Sequence, residues 1–361
     1  MSVEAVKYLL TKKNIDLIYM FYERNERLHQ RLTLIQGDNE HIELLPTKYK
    51  TRPAQGILTI VSPLKVFHLM QQMKLINPDV VVIIQGSIEV SSLGLVSSSR
   101  GGFKTISYIP NAYKLSFVGL RFGALRDIFN NLLFKIPCGY ITVSRSMKDI
   151  MVRRGVKKEI IVVNNGIDVE RCTDKGNRLL RHEIGLGEQD YVVAIIGRIY
   201  FKSKGHDLFI NAMASYIDKL QGIKLLVVGD GQDREHLRHM VISKGLDSYV
   251  RFIPWSNDLS NIYAMIDMVI MPSRNEGLPL VLLEAMCQGL PIIASNLGGI
   301  AEILSSDWLF NNNDSSSIIQ TLLRVKKADN TELIKMNKDK VLEKYNQKEF
   351  GKNFESAIYE L

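Results

Sequence analysis

Short runs of β-branched and other apolar residues recur along this chain, each separated from the next by a stretch of helical spacing. Ile15 to Phe21, Val80 to Ile84, Lys104 to Ile109, Tyr140 to Ser144, Ile160 to Val163 and Tyr191 to Ile196 have this character. So do Ile223 to Val228, Val250 to Ile253, Met268 to Met271 and Ile292 to Ala294. Runs that are apolar at nearly every position belong to strands covered on both faces. Parallel strands need a crossover between them, and helices supply it. The pattern therefore confines the chain to an α/β architecture with parallel sheets. Ile57 to Val61 reads as one more short strand. Ser2 to Lys12 reads as a helix with Val3, Val6, Leu9 and Leu10 on one face.

With 361 residues, two domains of ordinary size are expected. Asn164-Asn165-Gly166 is the turn that divides them, giving a first domain over 1–168 and a second over 169–345. The segment 346–361 reads as a final helix. No apolar run approaches a membrane span, and the N-terminus lacks a charged-then-apolar leader pattern. Cys138, Cys172 and Cys287 are scattered, with neither metal-ligand spacing nor the even number of a disulfide framework. A reducing, cytoplasmic setting follows. Charge is uneven: residues 1–168 hold 23 Lys/Arg against 13 Asp/Glu, and residues 169–361 hold 23 against 25. A basic half suits nucleic acid, an anionic membrane or an acidic substrate. No nucleic-acid-binding signature accompanies it, so nucleic acid is set aside.

One stretch carries the densest chemistry: Glu276-Gly277-Leu278-Pro279, then an apolar helix holding Glu284 and closed by Gly289. Pro279 suits a first helical position, where the missing N–H is no loss. The free amides of a helix N-terminus receive anions, and Gly277 lets a ligand approach the backbone. Glu276 and Glu284 would accept from hydroxyls. A ligand with both phosphate and hydroxyl groups could use all of this; two glutamates on an amphipathic surface helix are the plain alternative. A second element, Gly197-Arg198 followed by Lys204-Gly205, also lies between a strand and a helix. It offers a forked cation and a mobile one to a diphosphate. Lys202 competes with Lys204 for that role; the glycine after Lys204 favours Lys204. Gly229-Asp230-Gly231 is either a tight turn or a ligand contact. Trp255 fits stacking on a base or packing between domains equally well. No Asp-x-Asp and no His-x-x-x-His pair occurs, so no metal and no other cofactor is expected.

These segments resemble the donor-binding signature of the retaining glycosyltransferases of family four (glycosyl transferases group 1). The likeness is strong over 140–305, moderate over 57–139 and weak before that. It implies a GT-B fold, two Rossmann-like α/β domains facing across a cleft, with the helix of 346–361 crossing back to the first domain. It implies transfer of a sugar from a nucleotide-sugar to an acceptor hydroxyl with retention, in cell-surface polysaccharide or lipid-linked glycan synthesis. Glu276 would contact the donor sugar and Glu284 the ribose. Gly197, Arg198 and Lys204 would hold the diphosphate, with Gly277, Leu278 and Pro279 beside it and Trp255 near the base. A sugar-nucleotide epimerase of the same fold and a non-catalytic nucleotide-sugar-binding protein are the alternatives.

The chain departs from that pattern in two places. Tyr108-Ile109-Pro110-Asn111 has no His where many members place one, so no base is assigned there. The family's first strand and glycine-rich loop have no counterpart before Ser2: either the chain is shortened, or its start is misassigned, or the fold lacks a central strand, and the expectation is that the reading frame extends upstream into them or that this form expresses poorly. Finally, residues 112–136 interleave Phe117, Phe122, Leu125 and Phe129 with Lys114, Arg121, Arg126 and Lys135. That pattern suits either a helix lying on an anionic membrane, making the protein peripheral on its inner face, or an ordinary helix packed on the first domain.

Overall fold

The apolar runs fold as strands with one exception in the computed structural model, which describes all residues but Met1, Lys13, Asp38, Asp174, Lys175, Asn177, Asn257 and Asp258. The chain divides into two units, Met1–Asn165 with Gln347–Leu361, and Gly166–Asn346. The first division falls inside the Asn164-Asn165-Gly166 turn, three residues before the expected boundary, and the second one residue after it.

The first unit opens with α1 (Ser2–Leu9), β1 (Leu17–Tyr22), α2 (Glu26–Gln36) and β2 (Ile42–Thr47). Val3, Phe21 and Leu32 bury together and lock α1, β1 and α2. The unit continues through α3 (Gln55–Ile60), α4 (Pro63–Ile76), β3 (Val80–Ile84), α5 (Ser92–Gly101), β4 (Lys104–Tyr108) and α6 (Gly123–Leu133). It is completed by β5 (Gly139–Thr142), α7 (Arg145–Arg153) and β6 (Ile160–Val162). β1 and β2 form one parallel pair; β3, β4, β5 and β6 form a parallel sheet in that order. The stretch Ile57 to Val61, expected as a strand, is instead most of α3 and its C-cap. Thr59 is buried against Ser92 of α5, their hydroxyls 3.0 Å apart. A Cβ on Gly56 would meet Asn130 and Leu133 of α6 at 3.1 and 3.2 Å. Helix packing on α5 and α6 thus outweighs the strand propensity of Ile57-Leu58-Thr59-Ile60. Val80 to Ile84 departs differently. It is a strand, but only Ile83 is buried and its four neighbours are half-buried, because β3 ends its sheet and its far side lines a cavity of about 470 Å³.

The second unit runs α8 (Val169–Thr173), β7 (Tyr191–Ile196), α9 (Phe201–Lys204), α10 (His206–Ser215) and β8 (Ile223–Val228). It continues as α11 (Arg234–Ser243), β9 (Val250–Ile253), α12 (Leu259–Ala264), β10 (Met268–Met271) and α13 (Leu280–Cys287). It ends with β11 (Ile292–Ser295), α14 (Gly298–Ala301), β12 (Leu309–Phe310), α15 (Ser315–Lys327) and α16 (Thr331–Lys344). The last helix, α17 (Gln347–Glu360), belongs to the first unit; a Cβ on Gly351 would overlap the Tyr8 side chain of α1. The six strands form one parallel sheet, order β12-β11-β10-β7-β8-β9. Its centre is dry on both faces: β10 and β11 are buried throughout, and β7 at all but its first residue. Strand order runs one way from β7 and the other way from β10. The carboxyl ends of these two neighbours therefore flank a topological switch point, where open α/β sheets bind ligands.

Candidate active site

Both motif-bearing loops leave the sheet at that switch point. The loop after β7 carries Gly197, Arg198 and Ile199 into the single turn of α9. Its path needs glycine at three places. Gly205, which closes α9 with φ +63°, has its Cβ position 1.9 Å from the Pro272 carbonyl oxygen. Gly229 and Gly231, in the turn after β8, present theirs at 2.1 Å from the carbonyl oxygens of Gly197 and Ile199. Any side chain at these glycines would push the two loops apart, so Gly229-Asp230-Gly231 acts here as a close-packed turn. Asp230 accepts from the backbone N–H of Trp255 at 3.2 Å, and Asp233 from that of Phe201 at 2.7 Å.

The loop after β10 is laced to the first by groups that no motif announced. The Arg274 guanidinium forks onto both carboxylate oxygens of Asp207 at 2.7 and 2.8 Å, and its backbone N–H donates to the Ser203 carbonyl at 2.7 Å. The Asn275 amide donates to the Lys202 carbonyl and accepts from Ser203 Oγ, each at 3.0 Å. Lys202 thus faces this loop with its backbone carbonyl, whereas Lys204 reaches in with its side chain. Lys204 Nζ donates to Glu276 Oε1 at 2.5 Å, and Ser273 Oγ donates to the same oxygen at 3.0 Å. Arg198 is exposed beside the loop start, and Trp255 is 40% exposed.

The stretch after Glu276 turns inward. Gly277, Leu278 and Pro279 are buried, and the Gly277 carbonyl accepts from Gly299 N–H at 2.8 Å. Pro279 precedes α13 as its cap and not as its first residue. No side chain caps α13, which leaves its first amides to a ligand or solvent. Glu284 sits one turn in. Burial raises its pKa above the ordinary carboxylate range, while the hydrogen bond from Tyr263 and the charge of Arg171 oppose the rise. Tyr263 Oη donates to Glu284 Oε2 at 2.9 Å. His206, immediately after Gly205, is fully buried with no hydrogen-bond partner on either ring nitrogen. Its pKa is pushed down to about 4, first by burial and then by the Lys204 charge. The imidazole stays neutral, which leaves Lys204 as the cation at this point.

Sequence reasoning placed Gly197, Lys204, Glu276 and Gly277 in loops that the fold brings together. It missed Asp207, Ser203, Ser273, Arg274, Asn275 and Tyr263, whose partners lie far away in sequence, Ser273 excepted. Among the described residues, no group of three or more His, Cys, Asp or Glu could hold a metal ion, and no helix is long and apolar enough to cross a membrane.

Known proteins share this fold. In fold, the chain is similar to the Anabaena protein HepE, whose structure is in complex with UDP-glucose. The TM-score is 0.78 at 17% identity, covering all of this chain and 95% of that one. It is also similar to sucrose-phosphate synthase of Thermosynechococcus elongatus, TM-score 0.76 at 16% identity, covering 96% and 99%. That is the GT-B fold of two Rossmann-like α/β domains. In sequence, it is 28% identical over 192 residues to an uncharacterized glycosyltransferase of Methanocaldococcus jannaschii, covering 50% of this chain and 48% of that one. It is 30% identical over 176 residues to the Escherichia coli UDP-Gal:alpha-D-GlcNAc-diphosphoundecaprenol alpha-1,3-galactosyltransferase, covering 46% and 45%. The chain thus matches about half the length of these relatives. One family model, Glycosyltransferase Family 4, matches residues 10–171, and another, Glycosyl transferases group 1, matches 190–327. One model falling on each unit, and the motif loops meeting at the switch point of the second, place the chain in the family four, group 1 glycosyltransferases.

Proposed function

We propose that the chain transfers a sugar from a UDP-sugar to an acceptor hydroxyl, with retention at the anomeric carbon and without a divalent metal. The observation that carries this is the Lys204–Glu276 pair at the switch point, a cation and a carboxylate held by two laced loops. An arriving diphosphate would draw Lys204, with Arg198 and the open amides of α13 beside it. Glu276 would then accept from a sugar hydroxyl, and Glu284, set by Tyr263, from the ribose. Stabilising charge that builds on the departing diphosphate is the largest service such a site can give. The choice of uridine rests on the UDP-glucose in the HepE structure and the UDP-galactose in the E. coli relative's name. UDP release, with and without a polyprenyl-diphosphate-linked sugar, tests the reading. Release that depends on acceptor supports it. Conversion of the UDP-sugar without acceptor points to an epimerase, and binding without turnover to a binding protein. Arg198→Ala and Lys204→Ala should each slow transfer by about one to three powers of ten, and EDTA should not; a strict divalent requirement would sink the metal-free reading.

The same proposal places the reaction on an anionic membrane, through the first unit. α6 is built inside out. Its buried face holds Gly123, Asp127, Asn130 and Leu133, while Leu125, Ile128 and Leu132 are more than half exposed, as are Phe117 and Phe122 before it. Asp127 is held inward by the backbone N–H groups of Leu115 and Ser116 at 2.9 and 3.0 Å. Ile60, Val61, Leu64 and Phe67, on or beside neighbouring α3 and α4, are exposed too. Between residues 44 and 148 there are 13 Lys/Arg and three Asp/Glu, and two of the three acids, Glu89 and Asp127, are buried. Arg126, expected at the lipid, and the nearby Arg154 are both turned to protein partners. Arg126 is paired with Glu89 at 2.5 Å, and Arg154 donates inward to the carbonyls of Ala112 and Tyr113. The variant to test is therefore Leu125→Ser with Ile128→Ser. It should lose sedimentation with anionic vesicles; equal binding by parent and variant would remove α6 from the membrane.

A further inference from the structure

Two of the cysteines scattered along the sequence meet in the second unit. α8, which carries Cys172, packs on α12 and on α13, which carries Cys287. The two thiols share a hydrogen bond, Cys172 donating. The Gln288 side-chain amide, next to Cys287, donates to the Cys172 carbonyl and ties the two helices a second time. Cys172 is half-buried and Cys287 buried, so a reagent from solvent meets Cys172 first. The hydrogen bond from Cys172, with the Lys338 charge, lowers the Cys287 pKa against the effect of burial. The same bond, then burial and the Glu284 charge, raise that of Cys172. The accessible thiol thus has beside it a buried sulfur able to take its proton. Glu284 and Cys287 lie one turn apart on one face of α13. The charges of Glu284, Cys172 and Cys287 all act on Tyr263, whose hydroxyl holds Glu284.

We propose that Cys172 and Cys287 are a reversible disulfide site, closed by a hydroperoxide and reopened by thiols, whose closure weakens the hold of α13 on nucleotide. The effect on nucleotide rests on the ribose role proposed for Glu284. With Cys287 ionised, the Cys172 proton crosses to it and the Cys172 thiolate attacks an oxygen of hydrogen peroxide. The O–O bond breaks, leaving a sulfenic acid on Cys172 and hydroxide, which takes the proton from Cys287 and becomes water. The Cys287 thiolate then attacks the Cys172 sulfur; the S–S bond forms, the S–O bond breaks, and the departing hydroxide takes a solvent proton to give a second water. Each sulfur loses one electron and each peroxide oxygen gains one. A disulfide holds two sulfurs closer than any hydrogen bond between them. Closure therefore draws α8 onto α13 one turn from Glu284 and disturbs the Tyr263 contact that sets this carboxylate. In a reducing compartment such a bond is transient and works as a signal.

The intact protein is treated with hydrogen peroxide and mapped by mass spectrometry without reduction, beside Cys172→Ser and Cys287→Ala. A peptide linking Cys172 to Cys287 should appear in the parent, vanish with dithiothreitol and be absent from both variants. Cys172→Ser, at the half-buried position, keeps the comparison if Cys287→Ala fails to fold. UDP affinity, read by calorimetry, should fall by about tenfold on oxidation, as for one lost hydrogen bond to a charged group. It should recover with dithiothreitol and not respond to peroxide in Cys172→Ser. Absence of the linked peptide, or a link to the exposed Cys138 in its place, overturns the site. A linked peptide with unchanged UDP affinity overturns the switch, provided that Glu284→Ala binds UDP more weakly than the parent. Where Glu284→Ala also binds UDP like the parent, it is the ribose role that has failed, and the linked peptide alone decides the thiol pair.

Discussion

Glu276 and Glu284 lie eight positions apart, yet their surroundings differ enough to separate their roles by mutation. Glu276 meets a lysine and a serine; Glu284 is buried against a tyrosine. Glu276→Gln should lower turnover by about tenfold or more without weakening nucleoside diphosphate binding, since a contact made to the transferring sugar is felt in the rate. Glu284→Ala should weaken nucleoside diphosphate binding by about 1–3 kcal/mol, the cost of an unmade hydrogen bond to a charged group. Calorimetry and initial rates on both variants decide this, and a pair of variants indistinguishable from the parent would refute the assignment. His206 gives a pH signature. Its folded pKa, about 4, lies below its unfolded value near 6.5, so the unfolded chain binds the extra proton first. Stability is intact above pH 6.5 and falls as pH drops from there towards 4, by on the order of 3 kcal/mol. His206→Leu should flatten that part of the stability curve relative to the parent in urea titrations. An unchanged slope would mean that the ring is not buried neutral.

At the level of elements, the sequence was legible where each element is decided by its own residues. The apolar strands of the second unit are one case, and the loop motifs on Glu276 and Lys204 another. It was silent where the decision is made by a distant partner. Arg274 is held by a carboxylate 67 residues away and Asn275 by groups 72 and 73 away; nothing local marks either. α2 and β2 escaped notice because their apolar residues are diluted by polar ones, and α3 because its fate is set by α5 and α6. α6 reads as an amphipathic helix in sequence, but only the structure shows that its apolar side faces out. The lacing of the two site loops predicts a behaviour of its own. Arg274→Lys keeps the charge and loses the fork. It should slow transfer by about tenfold although the residue touches neither sugar nor phosphate in the proposed site, and Arg274→Ala should be worse. Full activity in the lysine variant would show that the loops hold their positions without the fork.

For the whole molecule, the excess charge is concentrated rather than general. The stretch 44–148 alone carries as large an imbalance, 13 against three, as the entire first 168 residues, 23 against 13. Vesicle binding by this unit should therefore combine an apolar component that survives salt with an ionic one that does not. Raising ionic strength from about 0.05 to 0.5 M shortens the screening length severalfold and should cut binding to anionic vesicles strongly without abolishing it. Complete loss would mean that the exposed side chains of α6 never enter the lipid; complete indifference would mean that the cations are irrelevant.

The resting contact between Lys204 and Glu276 makes the site behave as a two-key lock. A ligand that brings only negative charge must pull the lysine away and strand the glutamate; one that brings only hydroxyls must do the reverse. A molecule bearing both, at the right spacing, opens the lock without stranding either group. The intact donor should therefore be held more tightly than the nucleotide it leaves behind. Once the sugar has departed, the lysine can swing back to the carboxylate and help to eject the spent nucleotide, so that the closing of the lock becomes the step that clears the site for the next turnover. In Glu276→Gln the returning lysine finds no charge, and the nucleotide product should linger.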